Sequence, residues 1–477
     1  MAVAGLTDLA LSAVEASDKV VLDGSLLRKH DVPGPRYTSY PPAPHFHANF
    51  TQEQIAEAFA RTNTAGMPEL SFYIHIPFCP KRCLFCGCTT EIGQPGSLVL
   101  QYFKALETEM ERTLPLLDAS RPVTQIHFGG GTPNGVPFKF LREILDRLRG
   151  RFTFAPHAEL AIECDPNLLT LAKLAELREM GFNRISYGLQ DFNRDVLDAV
   201  DRDFPKIAPD ALIQASRELG FTGINLDLIY GLPLQTPDTF RHTLEQTIAA
   251  RPDRIATFSY AHVPWVKDHQ KVLEPKGLPS PEAKVEMALS ILEMLQAAGY
   301  VAIGMDHYAL PDDELAQALA QGKLHRNFQG YCSRRTTGQV VAFGASGISQ
   351  LEESYLQNVK ESRDWIAAVE KGEWAVEKAY FLTPQERLRR SVINRIMCDG
   401  ELDLDALEAE IGQDLSNVEP TILTGWESLS DLEADGLCRR EGRRLVLTGL
   451  GRLLVRVVAM RFDPMLADGP GRYSRTV

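Results

Sequence analysis

Four cysteines fall within ten residues, in the run Phe78-Cys79-Pro80-Lys81-Arg82-Cys83-Leu84-Phe85-Cys86-Gly87-Cys88. The first three are spaced C-x3-C-x2-C, and the fourth closes the run as C-x-C. Three thiolates on one short loop can hold an iron–sulfur cluster and leave one iron without a protein ligand. An open iron is a place for chemistry, whereas a closed four-thiolate site stores stability or passes electrons. Structural zinc is the competing reading. It usually draws two C-x2-C pairs from positions about a dozen or more residues apart, and no second cluster of Cys or His lies near this run. The compressed spacing favours a cluster.

Two further features follow the cysteines. His127-Phe128-Gly129-Gly130-Gly131-Thr132-Pro133 matches neither a dinucleotide nor a nucleoside-triphosphate fingerprint. Three glycines let a backbone approach a ligand closely, and a tight turn with positive φ is the alternative. The second feature is a series of polar residues where strands are expected to end: Glu163 and Asp165, then Gln190, then Asp227. Any one could be a solvated cap. Four in similar positions on consecutive strands point to one cavity, with acceptors suited to ribose hydroxyls and amines.

The elements that must position these residues are legible as an alternation. Strand-like runs at 70–76, 124–128, 159–163, 184–187, 224–229 and 254–259 are followed by amphipathic stretches at 99–114, 138–149, 168–179, 193–200 with 208–219, 237–249 and 281–298. Strands alternating with helices imply parallel strands joined by βαβ crossovers. Six units predict an α/β fold, a partial (β/α)6 barrel, with a doubly wound sheet as competitor. Active sites in such folds sit at the carboxyl ends of the strands, where the cysteine run falls.

Residues 1–50 read as an irregular arm because Pro33-Gly34-Pro35 and Pro41-Pro42 exclude a helix there. Thr51 with Gln54 forms a capping-box pattern that predicts a short helix over 52–62. Beyond about 355 the chain reads as mainly helical, at 361–371, 383–397, 403–411, 421–435 and 449–459, with one small hairpin around Glu441-Gly442-Arg443. That layout is winged-helix-like. The domains expected are an arm and short helix over 1–65, a catalytic domain over 66–355 and a mainly helical domain over 356–477.

Composition sets the outer bounds. The chain has 477 residues, a formal net charge of −13 and eight cysteines, half of them in one loop. The charge argues against a nucleic-acid partner, and the acidic segment 400–418 argues against DNA binding by the C-terminal region. The cysteine density is not that of a disulfide scaffold, and the first twenty residues carry neither a secretory nor a transit pattern. No apolar run is long enough to span a membrane. A cytoplasmic protein without a membrane association is expected.

His75-Ile76-Pro77-Phe78-Cys79, the cysteine spacing, the Gly-Gly-Gly-Thr-Pro turn and the order of strand-end residues resemble the radical S-adenosylmethionine (SAM) superfamily. Pro35-Arg36-Tyr37-Thr38-Ser39-Tyr40-Pro41, Cys86-Gly87-Cys88, Gly304-Met305-Asp306-His307 and the run from His325 to Tyr331 resemble its oxygen-independent coproporphyrinogen III oxidase (dehydrogenase) family. The resemblance covers roughly residues 30–477. It implies that Cys79, Cys83 and Cys86 ligate a [4Fe–4S] cluster whose fourth iron is chelated by SAM. Tyr73, Gly130, Glu163 and Ile348 would line that SAM. A second SAM would meet Phe85, Gly131, Thr132, Gln190, Arg202, Asp227 and Ala261, with Cys88 near it and not on the cluster. Tyr73 and Cys88 are the implied catalytic positions beside the SAM sites.

The implied activity is anaerobic oxidative decarboxylation of two propionates of coproporphyrinogen III to vinyl groups by a 5′-deoxyadenosyl radical, giving protoporphyrinogen IX in haem biosynthesis. Four substrate carboxylates call for Arg and His donors, and Arg36, His307 and Arg326 are the candidates; a structural role competes for each. A low-potential flavodoxin- or ferredoxin-like electron donor, an unidentified electron acceptor and a monomer are expected. The chain departs from the family at Thr89-Thr90, in extra residues 1–29 and after Tyr331. A haem chaperone, a two-SAM radical methyltransferase and a cyclopropane-forming enzyme are the rival readings. Cys88 opposes the first; the Arg36–Pro41 and His325–Tyr331 segments oppose the other two.

Overall fold

The computed structural model describes residues 24–63, 69–333, 339–466 and 473–476. It divides into two compact units, one of Phe46–Ala298 with Arg334–Leu382, the other of Met1–His45 with Gly299–Ser333 and Thr383–Val477. The extra residues 1–23 and the segment 334–338 after Tyr331 lie outside the described residues.

The first unit is built on β1 (Leu70–Ile76), β2 (Val123–Gly130), β3 (Phe154–Cys164), β4 (Arg184–Gln190), β5 (Gly223–Tyr230), β6 (Arg254–Ser259) and β7 (Val341–Phe343). Their order is β7-β1-β2-β3-β4-β5-β6, and every pairing among them is parallel. The crossovers are α1 (Gly96–Thr113), α2 (Phe138–Arg151), α3 (Leu171–Glu179), α4 (Pro209–Glu218), α5 (Pro237–Ala250) and α6 (Pro281–Ala297). Among the described residues β6 does not pair with β7, so the sheet is a partial (β/α)6 barrel with a seventh strand added beside β1. All six sequence-expected strands are present; β7 is too short to announce itself.

Strand residues alternate between two kinds of surface. Phe72, Ile74, Ile126, Phe128, Leu160, Ile162, Ile185, Tyr187, Ile224 and Leu226 are buried, and they sit side by side in register. This face meets helices such as α2, which buries Phe138, Phe140, Leu141, Ile144, Leu145 and Leu148. Each such side chain removed from water stabilises the fold by roughly 1.5–3 kcal/mol. The intervening positions are mainly polar. Tyr73, His127, Ala161 and Arg184 form one row across the strands, and Glu163, Ser186, Asn225 and Arg254 form the next. Alternation of this kind normally marks a sheet with one wet face. Here it marks a polar barrel interior.

The interior is cross-linked at its lower end. Gln125 Nε2 donates to Glu159 Oε1 at 2.8 Å, and Arg184 Nε lies 3.2 Å from Glu159 Oε2. Burial pushes the Glu159 carboxyl up, but Arg184 and Arg254 outweigh it and hold the group below its usual range. A Cβ on Gly223 would lie 2.3 Å from the Arg184 guanidinium carbon, so the glycine makes room for this arginine.

The helix over Gln52–Arg61 carries the expected capping box between Thr51 and Gln54. An antiparallel sheet of Ile348–Gln350, Ser354–Asn358 and Val376–Phe381, with the helix Ser362–Glu370, completes this unit.

In the second unit the described part of the arm is irregular apart from a helix, Gly24–His30, and a 3-10 turn, Ala43–His45. Two hairpins, Val301–Gly304 with His307–Ala309 and Leu324–Asn327 with Gly330–Ser333, flank the helix Glu314–Ala320. The C-terminal part is helical around a small sheet of Glu401–Asp403, Cys438–Glu441 and Arg444–Leu447. Two expected helices are each broken. The stretch 421–435 is Pro420–Glu427 and Ser430–Ala434, and 449–459 is Gly449–Leu453 and Val455–Ala459. Inside the first of these, Gly425 is required by a close approach, since a Cβ there would lie 2.6 Å from the Arg461 carbonyl oxygen. Among the described residues no helix is long and apolar enough to cross a membrane.

Candidate active site

The carboxyl ends of the parallel strands collect the polar residues singled out in the sequence. Tyr73 comes from β1, Gly130 from the end of β2, Glu163 from β3, Gln190 from β4 and Asp227 from β5. Ala261 follows β6, and Ile348 follows β7. Each of the seven strands thus contributes one position.

The cysteine loop leaves β1 and is pinned at both ends. Phe78–Cys79 pairs with Glu91–Ile92, so the loop closes on itself. Gly131 N–H donates to Ile76 O at 2.7 Å and Thr132 N–H to Phe78 O at 3.0 Å, tying the glycine turn to the loop. This turn answers the sequence question in detail. A Cβ on Gly129 would meet Glu163 Oε1 at 2.7 Å, one on Gly130 the His75 ring at 2.5 Å, and one on Gly131 the Pro77 carbonyl at 2.6 Å. Gly130 also has φ 113°, which L side chains rarely adopt. The glycines are therefore required by close packing within the protein itself, beyond any approach of a ligand.

All eight cysteines are free thiols; Cys79, Cys83 and Cys86 are partly exposed and Cys88 is exposed. Two of the loop sulfurs carry hydrogen-bond donors. Thr132 Oγ1 donates to Cys79 Sγ at 3.2 Å, and Arg202 Nη1 to Cys83 Sγ at 3.2 Å. Burial pushes the Cys79 thiol up to about 11 and raises Cys83, while Thr132 and Arg202 respectively oppose it. Interaction with Cys88 holds the Cys86 thiol down at about 6, and the same pairing raises Cys88.

Arg202 also donates to Gly188 O and lies 3.4 Å from Asp165 Oδ1. The Asp165 side chain caps the turn Pro166–Leu168 as well, so this carboxylate has a structural role.

Glu163 is an oriented carboxylate. His127 Nε2 donates to Oε1 at 3.0 Å and Gly130 N–H to Oε2 at 3.1 Å. Burial pushes its carboxyl up, but His127 and the Gly130 amide outweigh it and hold it below the usual range. Asp227 goes the other way. Burial, then the charge of Glu163, raise it to about 6 against donors from Asn225 and Ser186. Two carboxyls in one cavity are thus driven apart in acidity.

Burial holds the His75 imidazole below its usual range, against the Thr89 carbonyl and the charge of Glu163. Its Nε2 lies 3.3 Å from Thr89 O, which can only accept, so Nε2 carries the proton and Nδ1 accepts from Tyr73 O–H at 3.1 Å. Ser346 Oγ, 3.2 Å from the same Nε2, brings in the turn that leads to Ile348.

Do these residues fit a cluster and SAM? Among the described residues no three His, Cys, Asp or Glu side chains converge on a single point, the loop thiols included. The three thiols lie along one short loop, and two carry thiolate-supporting donors. Gln190 sits at a register shift, with φ 77°, and its buried Oε1 has no hydrogen-bond partner among the described residues. A strained bulge holding an unmet acceptor is the signature of a ligand position. The donor set fits.

Arg36, His307 and Arg326 belong to the second unit and gather there. Arg36 pairs with Asp306, and Arg326 Nε donates to Arg36 O at 3.2 Å. The Arg326 guanidinium lies 4.7 Å from the Tyr331 ring centre, and His307 meets that ring edge-on. Arg326 is buried and its Nη1 has no hydrogen-bond partner among the described residues.

Sequence reasoning missed four contacts to the cysteine loop. Arg202 was expected at a second SAM, and its contact with Cys83 was not foreseen. Lys267, His269 and Gln270 also reach the cysteine loop, across more than 175 residues of chain. No local pattern could have signalled either.

Half-barrel, open three-thiol loop and strand-end carboxylates together define a radical SAM protein, and the model of the Radical SAM superfamily matches residues 73–247. That of the HemN C-terminal domain matches residues 382–454. The oxygen-independent coproporphyrinogen III oxidase of a Synechocystis strain is 40% identical over 451 residues, 94% of this chain and 96% of the relative. That of Pseudomonas aeruginosa is 39% identical over 96% of this chain and 100% of its own length. The coproporphyrinogen III oxidase structure from Escherichia coli, described as a radical SAM enzyme, superposes with a TM-score of 0.86 at 37% identity, covering 94% of this chain. The chain belongs to the family of oxygen-independent coproporphyrinogen III oxidases.

Proposed function

We propose that this chain converts two propionate side chains of coproporphyrinogen III to vinyl groups without oxygen, giving protoporphyrinogen IX in porphyrin biosynthesis. The observation that carries this is the whole-length likeness to enzymes of that name, joined to the three-thiol loop at the carboxyl ends of the barrel strands. Cys79, Cys83 and Cys86 would hold the [4Fe–4S] cluster. When bound, cluster and SAM supply a carbon-centred radical able to take hydrogen from a propionate side chain.

The protein's part is to bind, orient and exclude. Thr132 and Arg202 stabilise negative charge on the sulfurs of Cys79 and Cys83. Glu163, fixed by His127 and the Gly130 amide, offers a preset acceptor for an ammonium or hydroxyl of the first SAM, beside Tyr73 and Ile348. Gln190 Oε1 and Asp227 offer acceptors to the second, with Phe85, Gly131, Thr132, Arg202 and Ala261 as its other walls and Cys88 nearby. Arg326, whose buried Nη1 has no partner among the described residues, is the leading candidate for a substrate carboxylate; its Nε donates to the Arg36 carbonyl, and His307 meets its ring partner Tyr331.

We assign catalysis to residues 66–355, with an arm over 1–65 and a helical domain over 356–477. The two family-model ranges fall within the second and third of these. A monomer in the cytoplasm, reduced by a flavodoxin- or ferredoxin-like donor and passing electrons to an unidentified acceptor, completes the reading; a thiol-ligated cluster suits a reducing compartment. Anaerobic incubation with SAM, a reductant and coproporphyrinogen III tests it. Divinyl product is expected, and methylated or unchanged porphyrinogen would overturn it.

A further inference from the structure

Three side chains from one short run reach the backbone of the cysteine loop. Lys267 Nζ donates to Cys88 O at 2.8 Å, His269 Nε2 lies 2.9 Å from Cys86 O, and Gln270 Nε2 donates to Phe85 O at 2.9 Å. Gln270 differs from its neighbours. It is fully buried, and its Oε1 accepts from Val263 N–H at 2.7 Å. One amide therefore uses both ends, each on a different loop. The first loop carries Phe85, and the second carries Ala261 two residues before Val263. Both positions are assigned above to the second SAM. Beneath them, Leu84 and Phe85 pack on a buried cluster that includes Tyr260 and Leu273, so the same stretch supplies the loop's apolar seat.

We propose that Gln270 is a positioning residue that sets the separation between the two walls of the second SAM pocket, with Lys267 and His269 fastening the cysteine loop alongside it. The proposal rests on the two-SAM reading. A planar amide suits the task because it presents one donor and one acceptor at a fixed spacing. Glutamate keeps the acceptor and loses the donor, placing like polarity against Phe85 O. Leucine loses both ends but keeps the bulk.

The test compares wild-type, Gln270→Glu and Gln270→Leu proteins after anaerobic cluster reconstitution, reading iron and sulfide content and SAM bound in equilibrium dialysis. Wild type should bind two SAM per chain. Both variants should keep wild-type iron content and bind the first SAM normally, with affinity for the second weakened about tenfold, the equilibrium worth of one buried hydrogen bond left unmade. Two SAM at unchanged affinity in both variants would overturn the clasp alone. Loss of iron in both would also overturn it, because the contact would then serve the cluster loop. A wild-type stoichiometry of one would overturn the two-SAM reading and the clasp with it.

Discussion

Glu109 offers a quantitative test of the network behind the site. It lies fully inside the barrel unit on α1, and its oxygens accept from Gly344 N–H at 2.8 Å, Asn358 Nδ2 at 2.6 Å and Trp365 Nε1 at 3.4 Å. Gly344 opens the turn that carries Ser346 onto His75 and leads to Ile348. Burial pushes the Glu109 carboxyl from 4.5 up to about 7 against those three donors. The folded protein therefore holds a proton that the unfolded chain releases. Stability from this group is fully present below about pH 4.5 and is lost as pH rises through about 7. At about 1.36 kcal/mol per pH unit, the window is worth about 3 kcal/mol. Glu109→Gln removes the titration. Urea unfolding followed by tryptophan fluorescence, with Trp365 as a neighbouring reporter, should show the wild type's lead over the variant shrinking by about 2.5 kcal/mol between about pH 5 and pH 8. A lead that stays constant across that range refutes the reasoning.

Three further outcomes are expected. Cys79→Ala should lose the visible cluster absorption and its iron, whereas Cys88→Ala should keep full iron content; loss in the second would mean that the thiols are wrongly divided. Gly131→Ala drives a methyl group to 2.6 Å from the Pro77 backbone, an overlap of a kind that costs about 1–3 kcal/mol; iron retained after anaerobic desalting should fall, and wild-type retention with an unchanged Tm would contradict this. SAM affinity should rise with pH through about 6 as Asp227 ionises, and should be flat in Asp227→Asn; an equal rise in the variant would assign the titration elsewhere.

The sequence carried the barrel because each unit repeats a readable physical pattern, a short apolar run followed by an amphipathic stretch. It carried the cluster loop because Cys79, Cys83 and Cys86 are neighbours in the chain. What it hid is non-local or short. β7 has three residues, and the strand at Ile348–Gln350 likewise gives no period to detect. Arg202 meets Cys83 across 119 residues and Gln270 meets Phe85 across 185, so only the fold brings them together. The glycine turn was legible as a turn, but its cause, the His75 ring and the Pro77 backbone, was not. Gly425 was equally opaque, since it is set by its distant neighbour Arg461 and not by its own helix.

The central claim is that a radical formed at this three-thiol loop attacks the propionates. Coproporphyrinogen III deuterated at the propionate β-carbons, incubated anaerobically with the reconstituted protein, SAM and reductant, tests it most directly. The account predicts one deuterium transferred to 5′-deoxyadenosine for each vinyl group formed, with release of carbon dioxide. Deuterium-free 5′-deoxyadenosine, or SAM consumed without vinyl product, would contradict it.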